Sequence, residues 1–378
     1  MEISDRLSDW LTLIHAPGLG GARLVRLIEE CGGPRGVLEA ASGQPARLGL
    51  EPATLKALLT PDVQRLEADL AWLELPSRVL VTWEDALYPG LLRRIASPPA
   101  AVFVEGNIDA LWRPQLAIIG SRNPTAGGLE HARSFSAEIC RCGLAVVSGL
   151  ASGIDAAAHQ AAVDVGGTTV AVTGTGLDQV YPASSAPIAE RIALEGALVS
   201  EFPPGTTARR SHFPARNRII AGLSLGVLVV EAGLNSGSLI TARLAAEQGK
   251  EVFALPGSLH NPMAKGCHRL IKQGARLTEN TREILEALTP LAGELAGELQ
   301  KTLDAPEAPP PPLDAAPAVP DDPDYQRLWG LLSFDPTPID QLILHSGLGP
   351  REVSSMLLML ELQGLVQSDG GSSFSRRP

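Results

Sequence analysis

The sequence contains no apolar stretch that approaches the roughly 20 residues needed by a membrane-spanning helix, so we expect no membrane segment. A basic and then apolar leader is also missing from the N-terminus, which favours a cytoplasmic protein. Cysteine is scarce: four occur in 378 residues, and the close pair Cys140 and Cys142 has the spacing of neither a zinc knuckle nor a redox pair. We therefore expect free thiols and no structural metal.

Motifs for binding or cleaving nucleotides are missing as well. The Gly249-Lys250 pair is followed by an acid, which excludes a P-loop, and the glycines of 174–179 lack the third member of the dinucleotide fingerprint. None of the seven histidines has a metal-ligand spacing, and no group of nucleophile, base and orienting residue can be recognised. Asp155 and His159 share a helix face, either as a catalytic dyad or, as we favour, as a structural pair. The sequence thus predicts no enzyme, no cofactor and no metal.

The net charge of −11 would by itself argue against a nucleic-acid partner, but the acids are concentrated in one segment. Between Glu286 and Asp324 nine acids accompany a single base, Lys301, and this stretch carries −8 of the net charge. Its composition, rich in proline, alanine and aspartate, cannot bury enough apolar surface to fold, so residues 291–322 are predicted to be a disordered linker. The rest of the chain is close to neutral, and its basic residues are clustered.

The middle of the chain, residues 76–290, alternates short β-rich runs with segments of helical length. The runs are VLVTW, AVFVEG, LAIIG, LAVVSG, TTVAVTG, ALVSE, GVLVVEA and EVFALPG. Continuous valine, isoleucine and alanine is typical of strands buried on both faces, and the alternation with helices predicts a parallel sheet. The expected fold class is α/β, with helices on both faces of an extended Rossmann-like sheet.

Helical patterns flank this region on both sides. Residues 1–75 are predicted to form an all-helical domain of the SAM-like or helix-hairpin-helix type. Its segment APGLGGARLVRLI is either a turn that holds a DNA phosphate or a helical cap. Residues 323–378 have the pattern of a winged helix, with helix, turn, second helix and a short strand at Leu365–Val366. The second helix has no basic residue between Val353 and Gln363, so contact with a protein, or scaffolding, is favoured over reading of duplex DNA.

Three loops that follow predicted strands combine glycine with small polar residues. They contain Gly120, Ser121 and Arg122; Gly149, Ala151, Ser152 and Gly153; and Asn235, Ser236, Gly237 and Ser238. Glycine lets the backbone approach a ligand closely, and the free amides of a helix N-terminus attract anions. The carboxyl ends of parallel strands meet at one edge of the sheet, where ligands of such folds bind. Each loop alone also fits an ordinary tight turn, but together they predict one phosphate or sugar–phosphate site.

A basic and aromatic stretch follows the sixth of these runs. No acid occurs from Phe202 to Val230, and the segment HFPARNR within it contains Phe213, Arg216, Asn217 and Arg218. Grooves for single-stranded nucleic acid pair cations with aromatic platforms for the bases. A second basic stretch, either part of the same groove or a solvated helix face, contains Lys265, Arg269, Lys272 and Arg276.

Seven motifs occur in order along residues 80–290: GSR, SGLASGIDAAAH, TGTGLDQVYP, SEFPPG, FPARNRIIAGLS, VVEAGLNSGSLITARLAAEQGKEVFALPG and LIKQGA. Together they resemble the DprA/Smf family, the DNA-processing proteins A of bacterial transformation and recombination. The resemblance implies an extended Rossmann fold that binds single-stranded DNA without catalysis. It also implies that the protein protects incoming strands, forms a homodimer and helps to load the RecA recombinase. The family's outer helical and winged-helix modules match the two ends of this chain more loosely.

The same resemblance assigns roles to individual residues. Arg122 would be the main phosphate clamp, beside Gly120 and Ser121. The ring for a base and the donors for the backbone would come from Phe213, Arg216, Asn217 and Arg218. The pocket would also be lined by Gly149, Ala151, Ser152 and Gly153. The chain departs from the family at Ala183, where relatives often carry a basic residue after the Tyr-Pro pair. That missing charge would be compensated by Arg209, Arg210 or Lys265.

Two other functions fit parts of the sequence. A lysine-decarboxylase-like phosphoribohydrolase would seat a nucleotide phosphate on such loops. That class relies on a Gly-Gly-x-Gly-Thr-x-x-Glu stretch, and the nearest equivalent here, NSGSLITA, has no acid after its Gly-Ser pair. A duplex-binding transcription regulator would rest on the winged helix alone. Binding of single-stranded DNA is therefore the function that the sequence favours.

Overall fold

The β-rich runs of the middle of the chain form one nine-stranded sheet in the computed structural model, which describes residues 3–304, 322–333, 337–362, 365–369 and 373–376. The strands are β1 (Arg78–Thr82), β2 (Ala101–Gly106), β3 (Gln115–Ile119), β4 (Ala145–Ser148), β5 (Thr169–Val172), β6 (Ala197–Ser200), β7 (Gly226–Val229), β8 (Glu251–Ala254) and β9 (Arg276–Leu277). Their order in the sheet is β1-β2-β6-β5-β4-β3-β7-β8-β9. All eight predicted runs are strands, which confirms the α/β fold class. Strand β9 was not predicted, because it has only two residues within a basic stretch.

Seven strands, β3 to β9, are parallel, as the alternation with helices predicts. The expectation of a parallel sheet is wrong for β1 and β2, which pair antiparallel with each other, and β2 also pairs antiparallel with β6. The reason lies in the connection 83–100, which contains only the four-residue helix α7 (Gly90–Arg93). A parallel neighbour needs a crossover, usually made by a full helix, and this connection has none.

Helices cover both faces of the sheet. They are α8 (Ala126–Arg141), α9 (Ile154–Asp164), α10 (Ala186–Glu195), α11 (His212–Leu223), α12 (Ser238–Glu247), α13 (Lys265–Lys272) and α14 (Thr281–Asp304), with 3-10 turns at Ile108–Trp112 and Ala183–Ser185. Side chains of a strand alternate between the faces. Ala117 and Ile119 of β3 accordingly belong to one hydrophobic cluster, and Leu116 and Ile118 to another. The strands are therefore buried on both sides, as their continuous apolar runs predict.

The N-terminal segment is helical, as predicted. Its helices are α1 (Ile3–His15), α2 (Gly21–Cys31), α3 (Pro34–Gly43), α4 (Pro45–Leu48), α5 (Pro52–Leu59) and α6 (Val63–Leu73). They share a hydrophobic cluster with the sheet, in which Trp10 joins Phe103 and Leu198. The backbone of Gly21, at the start of α2, lies directly against Pro98 and Pro99. This packing favours the helical-cap alternative over a phosphate-binding turn.

The C-terminal unit, from Asp304 onward, has a hydrophobic core of its own. It contains α15 (Pro323–Leu331), β10 (Thr337–Pro338), α16 (Ile339–Ser346), α17 (Pro350–Leu362), β11 (Val366–Asp369) and β12 (Ser373–Arg376), and the sheet order is β10-β12-β11. Leu328, Leu342 and Leu357 meet in its core. The winged-helix prediction is confirmed, but its second wing strand, β12, was not predicted because SFSR is polar and follows two glycines.

The first part of the predicted linker is helical in the structure. Helix α14 continues to Asp304, so residues 291–304 are helical and the predicted boundary at 291 is wrong. Leucine, alanine and glutamate, which favour helices, dominate these residues, and the proline-rich composition begins only afterwards. Residues 305–321 of the predicted linker lie outside the described residues, and the division into domains 1–75, 76–290 and 323–378 stays a prediction. Across the described residues no helix is both long and apolar enough to cross a membrane.

Candidate nucleic-acid interface

A cavity of about 970 Å³ opens at the carboxyl ends of the parallel strands, beside β3 and β7. From β3 the chain builds β4, β5 and β6 on one side, and it then returns to place β7 on the other side of β3. This reversal of strand order is where ligands bind in open α/β sheets. Loops from both sides of the reversal meet there, which brings residues distant in sequence to one site.

Most of the predicted site residues line this cavity. They are Gly120, Ser121, Arg122, Ala151, Phe213, Arg216, Asn217, Asn235, Ser236, Gly237, Ser238 and Lys265. Four predicted residues do not line it, namely Gly149, Ser152, Gly153 and Arg218. The lining also includes Arg210, which the sequence analysis named with Lys265 as compensation for the charge missing at Ala183. Tyr181, Pro262 and Met263 line the cavity without having been predicted.

Arg122 extends from the loop after β3 into the cavity. Its neighbour Ser121 is buried and donates its backbone N–H to the carbonyl of Glu231, at 2.8 Å, which fixes the loop against the end of β7. The Arg122 side chain is exposed, and its guanidinium carbon lies 5.6 Å from the centre of the Phe213 ring. A cation at this distance over an aromatic ring is held by the ring's quadrupole. Arg122 is thus oriented while its N–H donors remain available to a ligand.

Two aromatic rings stand next to each other on one wall. The centres of the Phe213 and Tyr181 rings are 5.6 Å apart, with an angle of 44° between the planes, and Tyr181 is 50% exposed. Arg122, Phe213 and Tyr181 therefore form a continuous row of planar groups. Such a row offers flat apolar faces to unstacked bases. Tyr181 could have been recognised from the TGTGLDQVYP motif only by knowing that the loop after β5 folds toward α11.

Arg216 does not have the free guanidinium that the sequence predicts. It is buried, and its guanidinium donates hydrogen bonds to the backbone carbonyls of Gly149 and Val172. Burial lowers the pKa of Arg216 to about 10, and the nearby carboxylate of Asp155 opposes this shift. Arg216 therefore ties α11 to the ends of β4 and β5 and presents little of its charge to the cavity.

Arg218 lies outside the cavity and is held elsewhere. Its guanidinium donates to Glu201 at 2.6 Å and to the backbone carbonyl of Ser97 at 2.9 Å. Its position two residues after Arg216 on a helix places it on a different face. The predicted contribution of Arg218 to a DNA groove is not supported by this placement.

The loop after β4 supports the cavity from behind. A side chain at Gly149 would collide with the guanidinium of Arg216. Gly153 has a left-handed φ of +84°, and a Cβ there would lie 2.7 Å from the carbonyl oxygen of Arg122. Ser152 is exposed and does not line the cavity. Of the four residues predicted in this loop, only Ala151 faces the cavity; the two glycines allow close packing of the walls.

The N-terminus of α12 forms the opposite wall. Ser236 and Ser238 share a hydrogen bond between their hydroxyls at 2.6 Å, and Asn235 and Gly237 are exposed beside them. The positive end of the helix dipole and the two hydroxyls thus face the cavity, which favours an anion there. This arrangement fits the phosphate seat that the loop composition predicts.

The charged side chains at the cavity are predominantly basic. Arg122, Arg210 and Lys265 are exposed, and within the described ranges none of the three makes an ion pair. The one carboxylate of the lining, Asp155, is buried and accepts the backbone N–H of Gly149 at 3.2 Å. The cavity therefore presents uncompensated positive charge to a ligand.

Asp155 and His159 do not form a dyad open to a substrate. The His159 ring is fully buried, and its Nδ1 pairs with the Thr169 hydroxyl at 2.7 Å. Burial raises the pKa of Asp155, and the Arg216 guanidinium lowers it to a smaller extent. This geometry supports a structural role for the Asp155 and His159 pair. In the part of the chain that is described, no three His, Cys, Asp or Glu side chains are arranged to hold a metal ion.

His159 gives the fold an expected acid sensitivity. Burial lowers its pKa from 6.5 to about 3, so the unfolded state binds the proton first and stability falls as the pH drops below 6.5. At pH 5 this linkage lowers the free energy of unfolding by roughly 2 kcal/mol relative to pH 7. Urea unfolding at both pH values should show a smaller loss for His159→Gln than for the parent. Equal losses in the two proteins would show that His159 is not responsible.

The chain is also similar to known proteins. Residues 79–289 match the family model described as DNA recombination-mediator protein A, and residues 305–372 match that of the DprA winged helix domain. Protein Smf of Escherichia coli (strain K12) is 40% identical over 366 residues, which are 96% of this chain and 94% of that protein.

Two solved structures are similar as well. The X-ray structure of DNA processing protein A (DprA) from Streptococcus pneumoniae has 34% identity and a TM-score of 0.66, over 74% of this chain and 98% of that one. A structure of DNA processing protein A from Helicobacter pylori, which concerns its single-stranded DNA binding mode, has 30% identity and a TM-score of 0.51. It covers 56% of this chain and 96% of that one.

Proposed function

Because the chain belongs to the DNA recombination-mediator protein A family, as its motifs predict, we propose that it binds single-stranded DNA in the strand-end cavity without catalysing a reaction on it. The observation that carries this proposal is the combination of unpaired cations and two adjacent aromatic rings at one site. Arg122, Arg210 and Lys265 attract phosphates, and Phe213 and Tyr181 stack on bases. The single-stranded DNA binding mode of the Helicobacter pylori relative supports it.

The absence of an available acid at the cavity speaks against the phosphoribohydrolase alternative. Cleavage of an N-glycosidic bond needs a carboxylate that reaches the sugar. Among the described lining residues the only one is Asp155, which is buried and engaged with Gly149 and Arg216. The α12 N-terminus supplies hydroxyls instead of an acid. We therefore assign the cavity to binding.

The wider role that we propose follows the family. The protein would act in the cytoplasm, protect single strands that enter during transformation, and help to load the RecA recombinase onto them as a homodimer. The family description, a recombination mediator, supports this role. The winged helix would contact protein or serve as scaffolding, because its second helix, α17, has no basic residue after Arg351.

The test of the proposed function is a gel-shift competition at fixed salt between single-stranded and duplex oligonucleotides of equal length. We expect the single strand to outcompete the duplex, because stacking on Phe213 and Tyr181 needs an unpaired base. In parallel, incubation with nucleoside monophosphates should release neither free base nor phosphate. Equal affinity for both DNA forms, or turnover that disappears in an Asp155→Asn variant, would contradict the proposal.

A further inference from the structure

Glu231, which follows β7, is buried beside the cavity without lining it. Its carboxylate accepts two hydrogen bonds from one residue of the Arg122 loop. Thr125 donates its backbone N–H to Oε2 at 2.8 Å and its hydroxyl to Oε1 at 2.6 Å. The backbone carbonyl of Glu231 also accepts the N–H of Ser121, at 2.8 Å. Glu231 thus holds the loop on both sides of Arg122.

The contact is built into the surrounding sequence. Thr125 is the N-cap of α8, and its hydroxyl accepts the N–H of Gly128 at 3.0 Å. A Cβ at Gly128 would lie 2.5 Å from the Glu231 carboxylate, so only glycine leaves room for this side chain. A carboxylate at a helix N-terminus is favourable by itself. The two hydrogen bonds from Thr125 connect this favourably placed carboxylate to the Arg122 loop.

The same strand end holds the opposite wall. Asn261 donates its side-chain amide to Oε1 of Glu231, at 3.4 Å. The next residue, Ala232, donates its N–H to the Met263 carbonyl and accepts the N–H of Gly266, both at 2.7 Å. Lys265 lies between these two anchor points. The end of β7 therefore fixes the spacing between the loops that carry Arg122 and Lys265.

We propose that Glu231 is a positioning residue that sets affinity for single-stranded DNA by holding Arg122 in the cavity through Thr125. The inference rests on the proposed function. It explains why an acid lies next to a site for an anion: its oxygens are engaged by protein donors and do not face the ligand. The bonds matter for this role, and the charge does not.

Two substitutions separate the bonds from the charge. In Glu231→Gln the amide oxygen accepts the Thr125 N–H and the amide nitrogen donates to the Thr125 hydroxyl, so only the long contact with Asn261 is lost, whereas Glu231→Ala loses all three bonds. We expect affinity for an oligothymidylate to fall about tenfold in Glu231→Ala and to stay within about threefold in Glu231→Gln. Coupling between residues in contact has effects of this size on a measured free energy. Added to Arg122→Ala, Glu231→Ala should cost little more, because the residue that it positions is already gone. Equal losses in Glu231→Gln and Glu231→Ala, or losses that multiply with Arg122→Ala, would overturn the inference.

Hydrogen exchange without DNA gives an independent result. The amides of Ser121, Thr125 and Gly128 should exchange faster in Glu231→Ala than in Glu231→Gln, while those of β4 and β5 stay protected. Unchanged exchange at these amides would overturn the positioning role even if DNA binding is intact. Failure of the parent to bind single strands would instead overturn the proposed function. Should Glu231→Ala not fold, Thr125→Val removes the hydroxyl contact with Glu231 and takes its place in the binding measurement and in the exchange of Ser121; Gly128 is left out, because that hydroxyl is its own acceptor.

Discussion

Replacing Arg122 with alanine is expected to weaken binding of single-stranded DNA about tenfold to a hundredfold, because a charge-assisted hydrogen bond contributes roughly 1.5–3 kcal/mol. The loss should be similar for different base sequences, since phosphate contacts carry no base information. The slope of log affinity against log salt should also decrease by about 0.7, the value for one phosphate contact on a single strand. Arg122→Lys should recover only part of the affinity, because an ammonium cannot bridge two phosphate oxygens.

A matched control lies at the other end of the same strand. Arg113 is exposed and precedes β3, whereas Arg122 follows it. A salt titration of Arg113→Ala should therefore reproduce the parent in both affinity and slope, with thermal melts to verify folding. A folded Arg122→Ala protein that behaves like Arg113→Ala would show that Arg122 does not touch the strand.

Arg216 is expected to give the largest effect on stability. Arg216→Met removes the donors to the carbonyls of Gly149 and Val172 and leaves Asp155 buried without its countercharge. Loss of one member of a buried charged pair costs about 3–5 kcal/mol, so the urea midpoint should fall sharply. Adding Asp155→Asn should restore part of the loss, because the stranded charge is then removed.

Arg122→Met provides the comparison for this variant, since it removes the same charge from an exposed position. Its unfolding free energy should stay within about 0.5 kcal/mol of the parent. Replacement of Arg122 is thus expected to affect DNA binding, and replacement of Arg216 is expected to affect stability. An Arg216→Met protein that is as stable as the parent but no longer binds DNA would instead indicate that Arg216 contacts DNA directly, as the sequence predicts.

The strands and the loops of the site could be predicted because they depend on local signals. Continuous valine and isoleucine marks a buried strand, and glycine with small polar residues marks a turn at its end. The place of the cavity followed from the rule that ligands bind beyond the carboxyl ends of parallel strands. The antiparallel pairing of β1 and β2 could not be predicted in this way, because it depends on the lack of a full crossover helix in the 83–100 connection.

The roles of the arginines could not be read from the sequence. Arg216 and Arg218 belong to the same basic stretch as Arg210, and nothing in the composition of that stretch distinguishes a buried arginine from an exposed one. What separates them is tertiary: the Arg216 guanidinium reaches the Gly149 carbonyl, and Arg218 meets Glu201. Likewise, Tyr181 becomes a site residue only because its loop packs beside Phe213. Long-range partners, not residue type, decide which cation is left for the ligand.

The central claim, that bases of a single strand stack at the Phe213 and Tyr181 wall of the cavity, can be tested by photocrosslinking. An oligothymidylate carrying 5-iododeoxyuridine would be irradiated with the protein, and the crosslinked peptides would be identified by mass spectrometry. Crosslinks at Phe213 or Tyr181, lost in Arg122→Ala and retained in Arg113→Ala, are the predicted result. Crosslinks confined to residues 323–378, with binding intact, would contradict the account.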